Sequence, residues 1–183
     1  MLNICRNLVF FTCAKEQTVP HLFTTPCYAG FKDYLVRRGF TIYPYEFDCF
    51  GAKHPLVDIA GKMGSFYWAF EYKSDTDSIS RGVEQVKSYS DWFDYVVLVS
   101  ERTLNHARSD LFWDLKDAGA GVWTYFPDYA KCVEQVNPQL QRPDRSNRRY
   151  VGSRFRALFQ KRRRWSGAIP FMDLGQTDLR NFI

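Results

Sequence analysis

The stretch from His54 to Tyr89 reads HPLVDIAGKMGSFYWAFEYKSDTDSISRGVEQVKSY, and the fold turns on how it is divided. Val57-Asp58-Ile59-Ala60 has the apolar character of a short strand that Gly61 is expected to break. Lys62-Met63-Gly64 is expected to turn, and Ser65 to Lys73, rich in aromatics, to return as a second strand. Side chains alternate faces along a strand, so Glu71 and Lys73 share one face and Tyr72 takes the other. Pairing the two strands as a hairpin brings Asp58 beside Glu71. Two carboxylates and an ammonium then meet at the rim of one sheet.

That grouping suits a particular chemistry. Close carboxylates repel each other unless a cation or a proton lies between them. A hard divalent ion such as Mg²⁺ takes few protein oxygens and keeps water and substrate phosphate oxygens as its other ligands. A lysine on the same face can hold or deprotonate a water, or balance charge on a scissile phosphate. Together these residue types fit hydrolysis of a phosphodiester assisted by Mg²⁺ or Mn²⁺. The plainer alternative is Asp58 capping a turn, with Glu71 and Lys73 as a solvated ion pair on an edge strand.

At these residues the chain resembles the PD-(D/E)xK nuclease superfamily, with its restriction-endonuclease-like fold. The resemblance implies Asp58 as the first acid, Glu71 as the second and Lys73 as the lysine, with the backbone carbonyl of Tyr72 as a further metal ligand. Val57, not proline, precedes Asp58, and Pro55 lies three residues upstream of it. Many relatives carry an acid on the first helix. Here the acid available is Asp33, opposite the apolar face, and it is not assigned a role.

The flanking elements follow in the same order. Thr25 and Pro26 suit the start of a helix, Tyr28, Phe31 and Leu35 its buried face, and Gly39 its stop. Phe40 to Phe47 reads as the first core strand, with Glu46 near its end as a possible extra ligand or a rim residue. His54 is assigned a loop or substrate contact. Ile79 to Trp92 reads as a helix with Ile79, Val83, Val86 and Phe93 inward. Arg81, Gln85 and Tyr89, at i, i+4 and i+8, form a second stripe. Gln85-x-x-x-Tyr89 resembles the Q-x-x-x-Y signature of the RecB-type branch, where those side chains contact nucleic acid. The other reading is two ordinary helix-surface residues. Tyr95 to Ser100 is apolar throughout, as in a strand buried on both faces. Residues 103–118 read as a helix and Val122 to Phe126 as the final strand, with a looser stretch between Pro127 and Pro138. The implied architecture is an α/β restriction-endonuclease-like core, a mixed central sheet flanked by helices, over residues 25–138. Residues 1–24 form an N-terminal segment with a short strand expected near Leu8 to Thr12. Residues 139–183 form a basic C-terminal extension.

The chain of 183 residues has a net charge of +5, and that charge is unevenly placed. Residues 1–141 hold 14 Lys and Arg against 17 Asp and Glu, whereas residues 142–164 hold 10 against 1. Val151, Phe155, Leu158 and Phe159 recur there at helical spacing, with Arg154, Arg162, Arg163 and Arg164 among or after them. Such a segment neutralises phosphates, which points to nucleic acid, DNA ahead of RNA. A surface helix with solvated arginines is the competing reading. Residues 165–183 offer Trp165, Phe171 and Phe182 for packing back on the core.

Five scattered cysteines, with no C-x-x-C pair, suggest neither a zinc site nor a disulfide framework, and a cytoplasmic setting is expected. No apolar run approaches the length of a membrane span. The expected activity is that of a Mg²⁺-dependent deoxyribonuclease. The alternative is a catalytically silent nuclease-fold module that binds nucleic acid or a partner protein. No G-x-x-x-x-G-K-S/T motor motif occurs, so a helicase-type partner, or a second copy of the chain, is an open expectation.

Overall fold

The computed structural model describes residues 26–49, 56–104 and 110–165, with side chains to residue 160. Thr25, His54 and the segments 1–24 and 166–183 lie outside the described residues, as do residues 105–109 of the expected third helix. The first helix, α1, spans Pro26–Arg37 and buries Tyr28, Phe31 and Leu35, as the spacing predicts. Gly39, at φ 90°, ends it in the left-handed conformation that glycine adopts without steric cost.

The first expected core strand is split in two. Thr41–Ile42 (β1) and Phe47–Asp48 (β2) are separate pieces. Pro44 lies between them, with no N–H to give to a ladder, and the chain bends there. Leu56–Val57 (β3) pairs with β2 in a small sheet of its own. The chain bends at Asp58 and re-enters the main sheet as Ile59–Met63 (β4). Gly61 does not break β4. A Cβ there would meet Phe40 Cδ1 at 3.2 Å and Ile42 Cδ1 at 3.4 Å, so its bareness lets those side chains close over the strand. The turn falls instead at Gly64-Ser65, with Gly64 first at φ 59°, and Met63 faces Phe66 across it. Phe66–Lys73 (β5) returns antiparallel to β4.

Ile79–Tyr89 (α2) crosses over to Tyr95–Ser100 (β6), which runs parallel to β5. Asp110–Asp117 (α3) leads to Gly121–Phe126 (β7), parallel to β6. The stretch after Pro127 is not loose. Lys131–Val136 (β8) pairs antiparallel with β7, so β7 is not the last strand. The result is an α/β fold with a mixed six-stranded central sheet in the order β1-β4-β5-β6-β7-β8, flanked by helices.

Strand alternation divides the core cleanly. Trp68, Phe70 and Tyr72 of β5 face α1, packed with Phe31, Val97, Val99 and Tyr125. Ala69 belongs to the opposite face, with Val83, Val86 and Tyr89 of α2 and Phe112 and Leu115 of α3. The basic helix Arg145–Trp165 (α4) closes this second face, burying Val151 and Phe155 among Tyr43, Phe47 and Tyr67. The start of the C-terminal extension is strapped to the core: Gln139 N donates to Gly119 O at 2.8 Å and Gln141 N to Asp94 O at 2.8 Å. Arg148 Nε donates to Asp94 Oδ1 at 2.7 Å, and Asp94 Oδ2 accepts from Tyr67 N at 2.8 Å, so one buried carboxylate ties α4 to β5. Among the described residues no helix is long and apolar enough to cross a membrane.

Phe155 is 1% exposed and touches three aromatic rings. Phe155→Ala should lower unfolding stability by about 3–5 kcal/mol. Urea denaturation checks this, and an unshifted midpoint would mean that α4 does not close the core.

Candidate active site

The antiparallel register pairs Ile59 with Phe70, so the next step outward sets Asp58 against Glu71. β4 does not continue there, and the Asp58 side chain replaces it: Tyr72 N donates to Asp58 Oδ2 at 2.9 Å. The N–H and C=O of one strand residue point to the same neighbour. Tyr72's carbonyl therefore faces the Asp58 edge too. Tyr28 of α1 donates its hydroxyl to the Asp58 backbone oxygen at 2.6 Å and fixes the bend from behind. Asp58 Oδ1 accepts no hydrogen bond among the described residues.

Glu71 and Lys73 project together from β5 toward α2. Lys73 Nζ lies 2.6 Å from Glu71 Oε1, and Tyr89 Oη lies 2.7 Å from Glu71 Oε2. The Tyr89 hydroxyl is also 2.9 Å from the Leu56 carbonyl oxygen, and its one proton is shared between the two acceptors. Lys73 Nζ donates in addition to Gln85 Oε1 at 3.1 Å. Glu71 is wholly buried and Lys73 nearly so. The carboxylate is thus not on an open rim, and the plain alternative of a solvated pair on an edge strand does not describe it. β5 lies inside the sheet, between β4 and β6.

The stripe Arg81, Gln85 and Tyr89 converges on this pair. Tyr89 is 1% exposed and Gln85 half-buried, and their polar atoms hold Glu71 and Lys73. Arg81 stays exposed, and its charge acts on Glu71. Glu46 is half-buried, and its charge acts on both Asp58 and Tyr28. Arg154 is exposed on α4, its guanidinium 5.7 Å from the Tyr43 ring centre. The helix carries Arg162, Arg163 and Arg164 in its last turns, where side chains are not described. Asp33 is exposed on α1.

Sequence reasoning missed Gly82. A Cβ there would meet Lys73 Cε and Leu98 Cδ1, each at 2.8 Å, so the lysine stem runs through space that only glycine leaves under α2. The signal was available, because a glycine inside a helical pattern usually has a packing reason. Tyr28, read only as a core residue, was missed as the support of the Asp58 bend.

Burial, then the neighbouring Glu71 charge, pushes the Asp58 carboxyl up to about 8, against the downward pull of the Tyr72 N–H and Lys73. Burial also pushes Glu71 up, opposed by Lys73, Tyr89 and Arg81. Burial and Glu71 raise Tyr89 beyond its ordinary range, so it stays a donor. Two carboxylates that resist ionising together, one with an open oxygen, form a hard-oxygen donor set that a divalent cation would relieve. Two is also a number of carboxylates that Mg²⁺ commonly takes from a protein. Among the described residues no three His, Cys, Asp or Glu side chains gather into a larger cluster.

No protein-family model, curated protein or solved structure matches the chain.

A carboxyl held above its ordinary value favours folding in its protonated form. Asp58's contribution is full below the ordinary 3.8 and is lost as pH rises through about 8. In chelator, the melting temperature should fall between about pH 4 and pH 9. Asp58→Asn should shrink that fall, leaving the share due to Glu71, whose shift has the same sign. Thermal melts across this range check it, and parallel curves for the two proteins would refute the strained carboxyl.

Proposed function

We propose that this protein is a metal-dependent nuclease with a restriction-endonuclease-like core that hydrolyses phosphodiester bonds of nucleic acid, DNA ahead of RNA. The observation that carries the reading is the convergence of Asp58, Glu71 and Lys73 at the end of β5. The mixed sheet, with α2 crossing between parallel β5 and β6, is compatible with that core and supports the reading.

Asp58, Glu71 and the Tyr72 carbonyl would hold Mg²⁺ or Mn²⁺. When bound, the ion supplies charge neutralisation at the scissile phosphate and a bound water that ionises more readily. The chain's own residues do the rest. Lys73 positions the attacking water through its ammonium, its stem confined beneath Gly82. Gln85 holds the ammonium, and Tyr89 holds the far oxygen of Glu71, so the carboxylate keeps one orientation. Tyr28 and the Tyr72 N–H fix Asp58. Arg81 is the member of its stripe that faces solvent, and we assign it to the strand's phosphates together with the basic segment of α4.

A second reading, a nuclease fold that binds without cutting, draws on one observation: both Glu71 oxygens are engaged by protein donors. Mg²⁺ titration separates the two. A nuclease site should gain melting temperature with Mg²⁺ in the parent and not in Asp58→Asn.

Because Glu71 and Lys73 are buried partners, removing one charge strands the other, and alanine substitutions confound folding with chemistry. Glu71→Gln and Lys73→Met keep the volumes. With circular dichroism as the folding check, each should lower Mg²⁺-dependent cleavage of plasmid, linear or single-stranded DNA by about a hundredfold or more. Parental rates in either folded variant would remove the assignment.

A further inference from the structure

The arginines that the fold gathers are not those that sequence reading put forward. Arg145, Arg149 and Arg156 lie on one face of α4 with Gly152 between them, at steps of four, three and four residues. Together with Tyr67 of β5 and Arg148 they line a cavity of about 260 Å³. Arg148 is already engaged, by Asp94 and by the Ser65 carbonyl at 3.1 Å. Among the described residues, no acid lies within ion-pairing distance of Arg145, Arg149 or Arg156. The Tyr67 hydroxyl likewise has no hydrogen-bond partner there.

Gly152 makes the cavity possible. A Cβ at that position would meet the Tyr67 hydroxyl at 2.9 Å and Arg156 Nη1 at 3.5 Å. A neutral donor and a guanidinium therefore sit side by side around the bare backbone. Guanidinium groups keep their charge at any accessible pH, so three in one cavity repel each other until an anion enters. A phosphate offers several acceptor oxygens in the geometry that arginine forks grip best.

We propose that this cavity is a phosphate-binding site, separate from the carboxylates, that grips one phosphate of a polynucleotide backbone. The polynucleotide as the source rests on the nuclease reading, whereas the phosphate chemistry stands without it. Tyr67 and Glu71 are four residues apart on β5, about 13 Å along the strand. Ala69, the same-face residue of β5 between them, belongs to the buried core, and Phe155 packs against Tyr67 on that face. One phosphate cannot reach both places, so the cavity anchors the strand and leaves the cutting to the other end of β5.

The test uses the full chain in chelator, so that cleavage plays no part. Binding of a labelled single-stranded oligonucleotide is followed by anisotropy across a salt series, and binding of pyrophosphate by calorimetry. Arg145→Gln, Arg149→Gln and Arg156→Gln together should weaken both ligands tenfold or more. Because three arginines serve one phosphate, the slope of log K against log salt should flatten by about 0.7. Tyr67→Phe keeps every charge and should still cost roughly three- to tenfold in pyrophosphate affinity. A flattening of about 2 would mean that the arginines touch separate phosphates, which overturns a single site. Loss of pyrophosphate with unchanged oligonucleotide binding supports a phosphate cavity and overturns the polynucleotide as its source. Unchanged affinity for both ligands overturns the proposal. Cleavage in Mg²⁺ is read separately, so failure of the nuclease reading and failure of the cavity are told apart.

Discussion

The buried ion pair between Glu71 and Lys73 is the constraint around which this half of the protein is arranged. Glu71 has no exposed surface, and a carboxylate so placed is tolerated only if each oxygen finds a donor. Lys73 supplies one and Tyr89 the other, with Gln85 taking a further hydrogen of the ammonium. Hydrogen-bonded groups in a low-dielectric setting reinforce one another, so the four side chains form one network. Such an arrangement costs stability relative to an apolar core of the same shape. Under the nuclease proposal, the chemistry at the end of the central strand is what this cost serves.

The helix above the pair is shaped by it. α2 must supply an apolar face for the sheet, two polar side chains for the pair, and one position with no side chain at all. Val83 and Val86 serve the first need, Gln85 and Tyr89 the second and Gly82 the third. Glycine inside a helix costs about 1 kcal/mol relative to alanine. Here that cost gives the lysine stem a passage. On the other side of the sheet Tyr28 reaches the Asp58 bend through its hydroxyl while its ring packs at right angles to Tyr72. The site is thus held from both faces by residues whose apolar parts belong to the core.

Much of this was legible in the sequence where local signals are strong. α1 shows its start, its buried spacing and its glycine stop, and β6 shows a continuous apolar run. The spacing of Asp58, Glu71 and Lys73 implied their meeting. What sequence reading lost was set by distant contacts or by a residue with two meanings. β8 is half exposed with charges scattered along it, as an edge strand can be, and has no alternation to betray it. Gly61 reads as a breaker but serves close approach. Pro44 carried the signal that the first strand divides, and that signal was overlooked. In α4 the spacing of Val151 and Phe155 showed an apolar face, but not what it covers, because Tyr43 and Phe47 lie far away in the chain.

That last separation bears on the order of assembly. The face under α1 begins with neighbours in sequence, one helix, a short strand and the β4–β5 hairpin, and is completed by Val97, Val99 and Tyr125. The opposite face is closed by α4, where Tyr150 reaches Asp48 from 102 positions away. Contacts between distant parts of a chain form late, because loop closure must precede them. The ion pair lies on that face, but its own partners are near in the chain: Gln85 stands 12 positions from Lys73 and Tyr89 18 from Glu71. Docking of α2 alone therefore brings both groups that replace water around the pair, without waiting for the far end of the chain.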